Sequence, residues 1–244
     1  MGKTKSQRLD TMNTTLSISV IVPVFCNRDT LVELYERLHK VLANFTHEII
    51  FVNDACPEGS LEVLRDLEKT SPFVQVVALS KNSGQHAAVL DGMRVGRGEW
   101  TVIMDADLQD PPEVIPDLLK EAETGYPVVF AGRRGLYESV FRLWTSWLFK
   151  KTMRWLVGCP SDAGMYVLLH RNVRDRVLRM TTDKPFIIAM IAISGFRMTS
   201  IPVVRDKRHD QRSTYTPWGR LRSAMRALTW GCRWRMGLLR LDQY

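Results

Sequence analysis

The sequence predicts an α/β protein built on a mostly parallel, doubly wound sheet flanked by helices. Three observations predict it. Short apolar runs of strand length alternate with stretches of helix-spaced leucines. The connections between them are only a few residues long. The first four strands each stop at polar or acidic residues, as chains do where they leave the carboxyl edge of such a sheet.

Taken in order, residues 1–15 are polar and mixed and are expected to form a flexible leader. Ser17 to Pro23 reads as the first buried strand. Asp29 is placed to cap the next helix, whose Leu31, Leu34, Leu38 and Leu42 recur at helical spacing. His47 to Val52 is the second strand, ending at Asn53-Asp54. A Pro-Glu-Gly turn then leads to a helix carrying Leu61, Leu64 and Leu67. Phe73 to Leu79 is the third strand, ending near Lys81-Asn-Ser-Gly84. Gln85 to Val95 is helical, and Glu99 to Met104 is the fourth strand. A helix follows Pro111-Pro112 to about Glu123, and Tyr126 to Gly132 is extended, ending at Arg133-Arg134. Beyond it, helices are expected over 137–157 and Arg171 to Met180, strands over Gly164 to Leu169 and Phe196 to Val204, and a helix after Pro217.

The chemistry concentrates at Thr101-Val-Ile-Met-Asp-Ala-Asp-Leu-Gln-Asp110, followed by Pro111-Pro-Glu113. The apolar run stops at Asp105 and Asp107, with Gln109 beyond. If the extended backbone persists, the two carboxylates point to one side. Carboxylates and an amide oxygen are hard ligands suited to Mg2+ or Mn2+ beside a substrate's phosphates. An acidic edge would repel a nucleotide diphosphate unless such a cation sat between them. No GxGxxG follows the first strand and no GxxxxGK[ST] occurs. Dinucleotide oxidoreductases and P-loop NTPases are thereby disfavoured.

The chain has 244 residues, 45% of them hydrophobic, enough for a proper core. No apolar run approaches the ~18–20 residues of a membrane span, and the polar N-terminus does not read as a signal peptide. Cys26, Cys56, Cys159 and Cys232 show no CxxC spacing, so neither a zinc site nor a disulfide framework is indicated. A reducing, cytoplasmic setting is expected. The net charge of +8 lies almost wholly in the tail, where ten Lys/Arg from Arg205 onward face only Asp206, Asp210 and Asp242. Such a tail attracts nucleic acid, an anionic membrane or a phosphorylated substrate, and charge does not choose among them.

Six motifs in order carry a resemblance: Val20-Ile-Val-Pro-Val-Phe25, Phe51-Val-Asn-Asp54, Asn82-Ser-Gly-Gln85, Asp105-Ala-Asp-Leu-Gln109, Ala131-Gly-Arg133 and Ser161-Asp-Ala-Gly164. With them the chain resembles the family 2 glycosyltransferases of GT-A fold over roughly residues 17–225. It is most similar to the dolichol-phosphate and polyprenyl-phosphate sugar synthases. The resemblance implies a GT-A catalytic domain over 16–215 and a basic amphipathic helix over 216–244. It places Pro23, Phe25 and Asn27 around the nucleoside, Asp54 on base or ribose, and Gly84 and Gln85 beside the nucleotide. It puts Asp105 on nucleotide or metal, and Asp107 and Gln109 on a divalent ion. Arg133 and Arg208 would reach phosphates, with Ser213 and Tyr215 on the segment that closes over donor and acceptor.

Two departures stand out. Gln211 and Thr214 replace a Gly and a Lys of that closing segment. After Asp162 the chain reads Met165-Tyr-Val-Leu168, where the family carries an arginine.

The reading that follows is an inverting, metal-dependent hexosyl transfer from a nucleotide-diphosphate sugar to a polyprenyl phosphate. The second reading is a soluble or glycan hydroxyl acceptor, for which Asp162 is the candidate base. A remote third is a non-catalytic basic binding protein, though no nucleic-acid module is recognisable and nucleic acid is not an expected partner. Phe141, Trp144, Leu148 and Trp155 fall on one helical face. Trp218, Leu221, Met225, Leu228, Cys232, Met236 and Leu239 fall on another. Faces of this kind, flanked by arginines, suit an anionic membrane surface, and equally a membrane subunit or a second copy of the chain. The expected location is peripheral, on the cytoplasmic face of a membrane.

Overall fold

The computed structural model describes residues 17–134, 160, 162–182 and 184–205. Seven strands form one sheet: β1 (Ser17–Val24), β2 (Thr46–Asn53), β3 (Val74–Ala78), β4 (Trp100–Ile103), β5 (Val128–Arg134), β6 (Val167–His170) and β7 (Met198–Val204). Their order is β3-β2-β1-β4-β6-β5-β7. β1 pairs in parallel with β2 and β4, β2 with β3, and β5 with β7; β6 runs antiparallel to β4 and β5. The sheet is therefore mostly parallel, as expected, and mixed through the antiparallel β6. β1 is buried on both faces, which explains its unbroken apolar run.

Helices cover both faces: α1 (Leu31–Leu42), α2 (Ser60–Thr70), α3 (Gln85–Val95), α4 (Ile115–Ala122), α5 (Arg171–Leu178) and α6 (Ile187–Ile193). Alternation along the strands divides the core in two. Val20, Val22, Ile49, Phe51 and Val102 pack with residues of α1, α2 and α4. Ile21, Ile50, Val52 and Ile103 pack with α3, α5 and α6. α3 lies close because Gly92 meets the sheet there; a Cβ on it would stand 2.5 Å from Ile21. That approach brings the first turn of α3 to the carboxyl edge of β1 and β4.

Several local expectations need correction. Asp29 does not cap α1; it lies inside a 3-10 turn, Arg28–Thr30, and Thr30 is the N-cap residue. The Thr30 hydroxyl donates to the carbonyls of Ala106, at 2.6 Å, and Asn27, at 3.0 Å. The helix after Pro111 begins as a 3-10 turn, Pro112–Val114, before α4. α6 carries no amphipathic signal, since Ile187 to Ile193 is apolar all round and six of its seven residues are buried. The expected helices at 137–157 and after Pro217 lie outside the described residues. Among those described, no helix is long and apolar enough to cross a membrane.

Candidate active site

The carboxyl edge of β1, β2 and β4 carries backbone strain. Three non-glycine residues among those described have positive φ: Cys26 at 58°, Ala55 at 52° and Leu108 at 60°. One follows each of these strands. Left-handed backbone costs about 1–2 kcal/mol at a residue with a Cβ, and strain of this kind clusters at functional sites.

Asp54 leaves β2 almost fully buried, at 3% exposure. Its carboxylate accepts the amides of Ser83, at 2.7 Å, and Gly84, at 2.8 Å. Gly84 sits at φ 87° and ψ 154°, a conformation open only to glycine. Asp54 thus fixes the turn that launches α3. Gln85, the first residue of α3, donates its side-chain amide to Asp105 Oδ1 at 2.5 Å. The loops after β2, β3 and β4 are thereby wired together.

The acidic motif itself is a bent loop. Extended backbone ends at Ile103, and the chain bends over 106–108. The alternation argument for Asp105 and Asp107 therefore does not apply. Asp107 Oδ1 instead accepts the Gln109 amide at 3.2 Å. Leu108, 3% exposed, anchors the bend in the core. Tyr166, 2% exposed, donates its hydroxyl to the Pro111 carbonyl at 2.9 Å. The Met165–Leu168 departure is thus structural: Tyr166 props the acidic loop from beneath, and Val167 and Leu168 fill β6.

Burial raises the Tyr166 hydroxyl well above its ordinary value, with the charges of Asp110 and Glu113 adding to it. The folded state therefore favours the neutral phenol. That contribution is complete below the unfolded value of about 10 and is lost as pH rises toward the folded one. Tyr166→Phe is expected to cost about 0.5–1.5 kcal/mol at pH 7, because the Pro111 carbonyl keeps the Val114 amide at 3.2 Å. Above pH ~10 its stability should fall less steeply than that of the parent chain. Urea midpoints from pH 7 to 11 check both, and parallel curves for the two chains would refute the linkage.

Two residues here were not singled out as site residues from sequence. Asp110 is 1% exposed, and its Oδ2 faces the Asp105 amide at 3.4 Å. Arg205, at the end of β7, lies 2.5 Å from Asp110 Oδ1 and 3.8 Å from Asp105 Oδ2. It also donates to Gln109 Oε1 at 3.3 Å. An Asp directly before Pro-Pro was the visible signal for the first. Arg205 was hidden, because about a hundred residues separate it from the loop.

The remaining candidates divide as follows. Pro23 lies in β1 opposite Val52, Phe25 is 37% exposed just beyond it, and Asn27 Oδ1 accepts the Phe25 amide at 3.4 Å. Arg133 stands in β5 opposite Val203 of β7. Asp162 Oδ2 accepts the Ser200 hydroxyl at 3.0 Å. It lies over Gly132, where a Cβ would stand 2.1 Å from it. Arg208, Ser213 and Tyr215 lie outside the described residues, as does Ser161.

The donor chemistry fits a hard divalent cation. Asp105, Asp107 and Gln109 offer oxygen ligands on one loop at the sheet's edge. Mg2+ is commonly held by one or two carboxylates, with substrate phosphates completing its shell. No cluster of three or more His, Cys, Asp or Glu able to hold a metal occurs among the described residues.

Comparison with known proteins gives the family and the fold. The family model described as Glycosyl transferase family 2 matches residues 19–199. An uncharacterized glycosyltransferase of Bacillus subtilis, YkcC, is 31% identical over 223 residues, covering 89% of this chain and 69% of its own length. The undecaprenyl-phosphate 4-deoxy-4-formamido-L-arabinose transferase of Pseudomonas fluorescens is 34% identical over 206 residues, with 82% and 60% covered. The chain thus spans about 60 to 69% of these relatives' lengths. Among solved structures, the Pyrobaculum calidifontis mannosyltransferase PcManGT, in complex with GDP-Man and Mn2+, superposes with a TM-score of 0.66 at 21% identity. That match covers 88% of this chain and 64% of that one. A Mycobacterium tuberculosis glucosyl-3-phosphoglycerate synthase bound to Mn2+, UDP-glucose and glycerol 3-phosphate gives 0.63 at 16% identity, covering 91% and 80%.

Proposed function

The chain belongs to glycosyl transferase family 2, with the GT-A fold, and from that premise we propose that it transfers a sugar from a nucleotide-diphosphate donor to a polyprenyl phosphate. The observation that carries the proposal is the wired edge in which Asp54, Gln85, Asp105, Gln109, Asp110 and Arg205 hold one acidic loop in place. The relative acting on undecaprenyl phosphate supports the acceptor class.

In this reading Pro23, Phe25 and Asn27 face the nucleoside. Asp54 orders the turn at Gly84 on which the nucleotide rests. Asp105, Asp107 and Gln109 would hold Mg2+ or Mn2+, which as a Lewis acid stabilises charge on the departing diphosphate. Arg133, Arg205 and Arg208 would offer charge-assisted hydrogen bonds to phosphate oxygens, with Ser213 and Tyr215 beside them. Arg205 lies against the acidic loop and neutralises part of its charge before substrate arrives. Residues 16–215 would form the catalytic domain, and 216–244 a basic helix on the cytoplasmic membrane face. A membrane subunit or second copy is the alternative cover for that helix.

The test is partition of label. Radiolabelled sugar from UDP, GDP or dTDP donors is incubated with protein, polyprenyl phosphate and Mg2+ or Mn2+, then extracted into organic solvent. Label in the organic phase, abolished by EDTA, is the expected result. Donor binding without any lipid-linked label would overturn the acceptor assignment.

Asp162 is the candidate base of the second reading; its carboxylate accepts the Ser200 hydroxyl over the open face of Gly132. A phosphate monoester has a second pKa near 6 and is already dianionic at neutral pH, so it needs no base. Asp162→Asn is therefore expected to retain lipid transfer within about tenfold. Loss approaching the ~10²–10⁴-fold of a missing base, with donor affinity and melting temperature unchanged, would favour a hydroxyl acceptor instead.

A further inference from the structure

Cys26 and Cys56 are 30 residues apart in sequence, yet the structure sets them side by side. They lie on the loops leaving the neighbouring strands β1 and β2. The Cys26 amide points at the Cys56 sulfur, 3.1 Å away. Cys26 itself has left-handed backbone, at φ 58°. Given covalent dimensions, that contact holds the two Cα atoms within roughly 7 Å, at the edge of disulfide reach. The Glu58 amide also donates to the Cys56 sulfur at 3.4 Å, and the Ser60 hydroxyl lies 3.2 Å from it, where either group can donate. Both thiols are partly exposed, so a small reagent can approach.

We propose that Cys56 and Cys26 form a redox-active dithiol, with Cys56 the reactive sulfur, Cys26 the resolving one and a hydroperoxide the oxidant. The inference rests on the loop geometry and stands apart from the acceptor assigned above.

The electrostatics agree in direction. Burial opposes the Cys56 thiolate, but the hydrogen bonds from Ser60, Glu58 and Cys26 outweigh it and lower its pKa. Burial, then the neighbouring Cys56 charge and hydrogen bond, push Cys26 up to about 11. Cys56 is thus the more readily ionised of the two sulfurs while its neighbour keeps its proton, the asymmetry of a reactive and a resolving cysteine.

The chemistry balances in two steps. The Cys56 thiolate attacks the terminal oxygen of a hydroperoxide. The O–O bond breaks, and Cys56 becomes a sulfenic acid as water or an alcohol leaves after protonation. The Cys26 sulfur then attacks the Cys56 sulfur; the S–O bond breaks, and the hydroxide leaves as water with the Cys26 proton. The two thiols have supplied two electrons to one peroxide, and a dithiol reductant reverses the change. The disulfide would tie the β1 loop, with Phe25 and Asn27, to the β2 loop behind Asp54.

The full chain is treated with a few equivalents of hydrogen peroxide at pH 7, blocked with an alkylating agent, digested without reductant and analysed by mass spectrometry. The expected product is a peptide pair joining Cys26 to Cys56, two hydrogens lighter than its parts and lost after dithiothreitol. Cys159 and Cys232 serve as internal comparisons, and Cys56 should alkylate at least tenfold faster than Cys26. In Cys26→Ser, Cys56 should stop as a sulfenic acid that dimedone traps. The proposal is overturned if wild-type protein gives no such pair. It is equally overturned if linkage to Cys159 or Cys232 dominates, or if Cys26 is oxidised as readily in Cys56→Ser. The readout is covalent mass, so failure of sugar transfer to any acceptor leaves it untouched.

Discussion

Asp107→Ala is expected to lower sugar transfer by about 100- to 1,000-fold, or roughly 2.7–4 kcal/mol of transition-state stabilisation. The magnitude follows from where charge develops. The departing nucleotide diphosphate gains negative charge at an edge already lined by carboxylates, and only a bound cation offsets both. Asp107 is the cleaner of the two aspartates to remove. Asp105 is also a structural anchor, held by Gln85 and near Arg205. Asp107 makes a local turn contact with the Gln109 amide. The loop around it stays pinned by Thr30 on the Ala106 carbonyl and Tyr166 on the Pro111 carbonyl. Melting should therefore shift little while the dependence on Mn2+ moves to higher concentration. Steady-state rates across a Mn2+ series, with Asp107→Asn beside Asp107→Ala, check this. Transfer within threefold of the parent at every Mn2+ concentration would remove Asp107 from the metal site.

How much was legible in the sequence depended on how local the physics was. β1, β2, β3 and α1 could be read almost to their ends, because strand-length apolar runs and helix-spaced leucines are signals contained in the segment itself. The acidic loop was legible for the same reason, since Asp105, Asp107 and Gln109 lie within five residues. What escaped was long-range. Arg205 reaches the loop only because β7 joins β5, and β6 lies between β5 and β4. The Cys26–Cys56 contact needs the parallel pairing of β1 and β2, which no cysteine spacing encodes. Asp54 was assigned to base or ribose by resemblance, while its carboxylate is committed at least twice to the Ser83-Gly84 backbone. α6 escaped for a different reason: a helix buried all round has no periodicity to read.

Arg205→Ala is expected to destabilise the fold by about 3 kcal/mol, through Asp110. The Asp110 side chain is 2% exposed and lies 2.5 Å from the guanidinium, itself only 20% exposed. Removing one partner of such a pair leaves a charge in a poorly solvated site, which costs far more than losing a surface ion pair. Two further contacts go with it, to Gln109 Oε1 and toward Asp105. The end of β7 would then lose its tie to the acidic loop. Because the penalty arises from an uncompensated charge, removing the charge should reduce it. Asp110→Asn combined with Arg205→Ala should be less destabilised than the sum of the single changes, by at least 1 kcal/mol. Arg205→Lys keeps the charge but loses the fork that spans Asp110 and Gln109, and should fall between. Urea unfolding of the four chains of the cycle, at pH 7 in low and high salt, measures the coupling. A buried pair keeps most of it in salt, whereas a screened surface contact does not. Strict additivity, or a cost below 0.5 kcal/mol for Arg205→Ala, would show that the loop is held without Arg205.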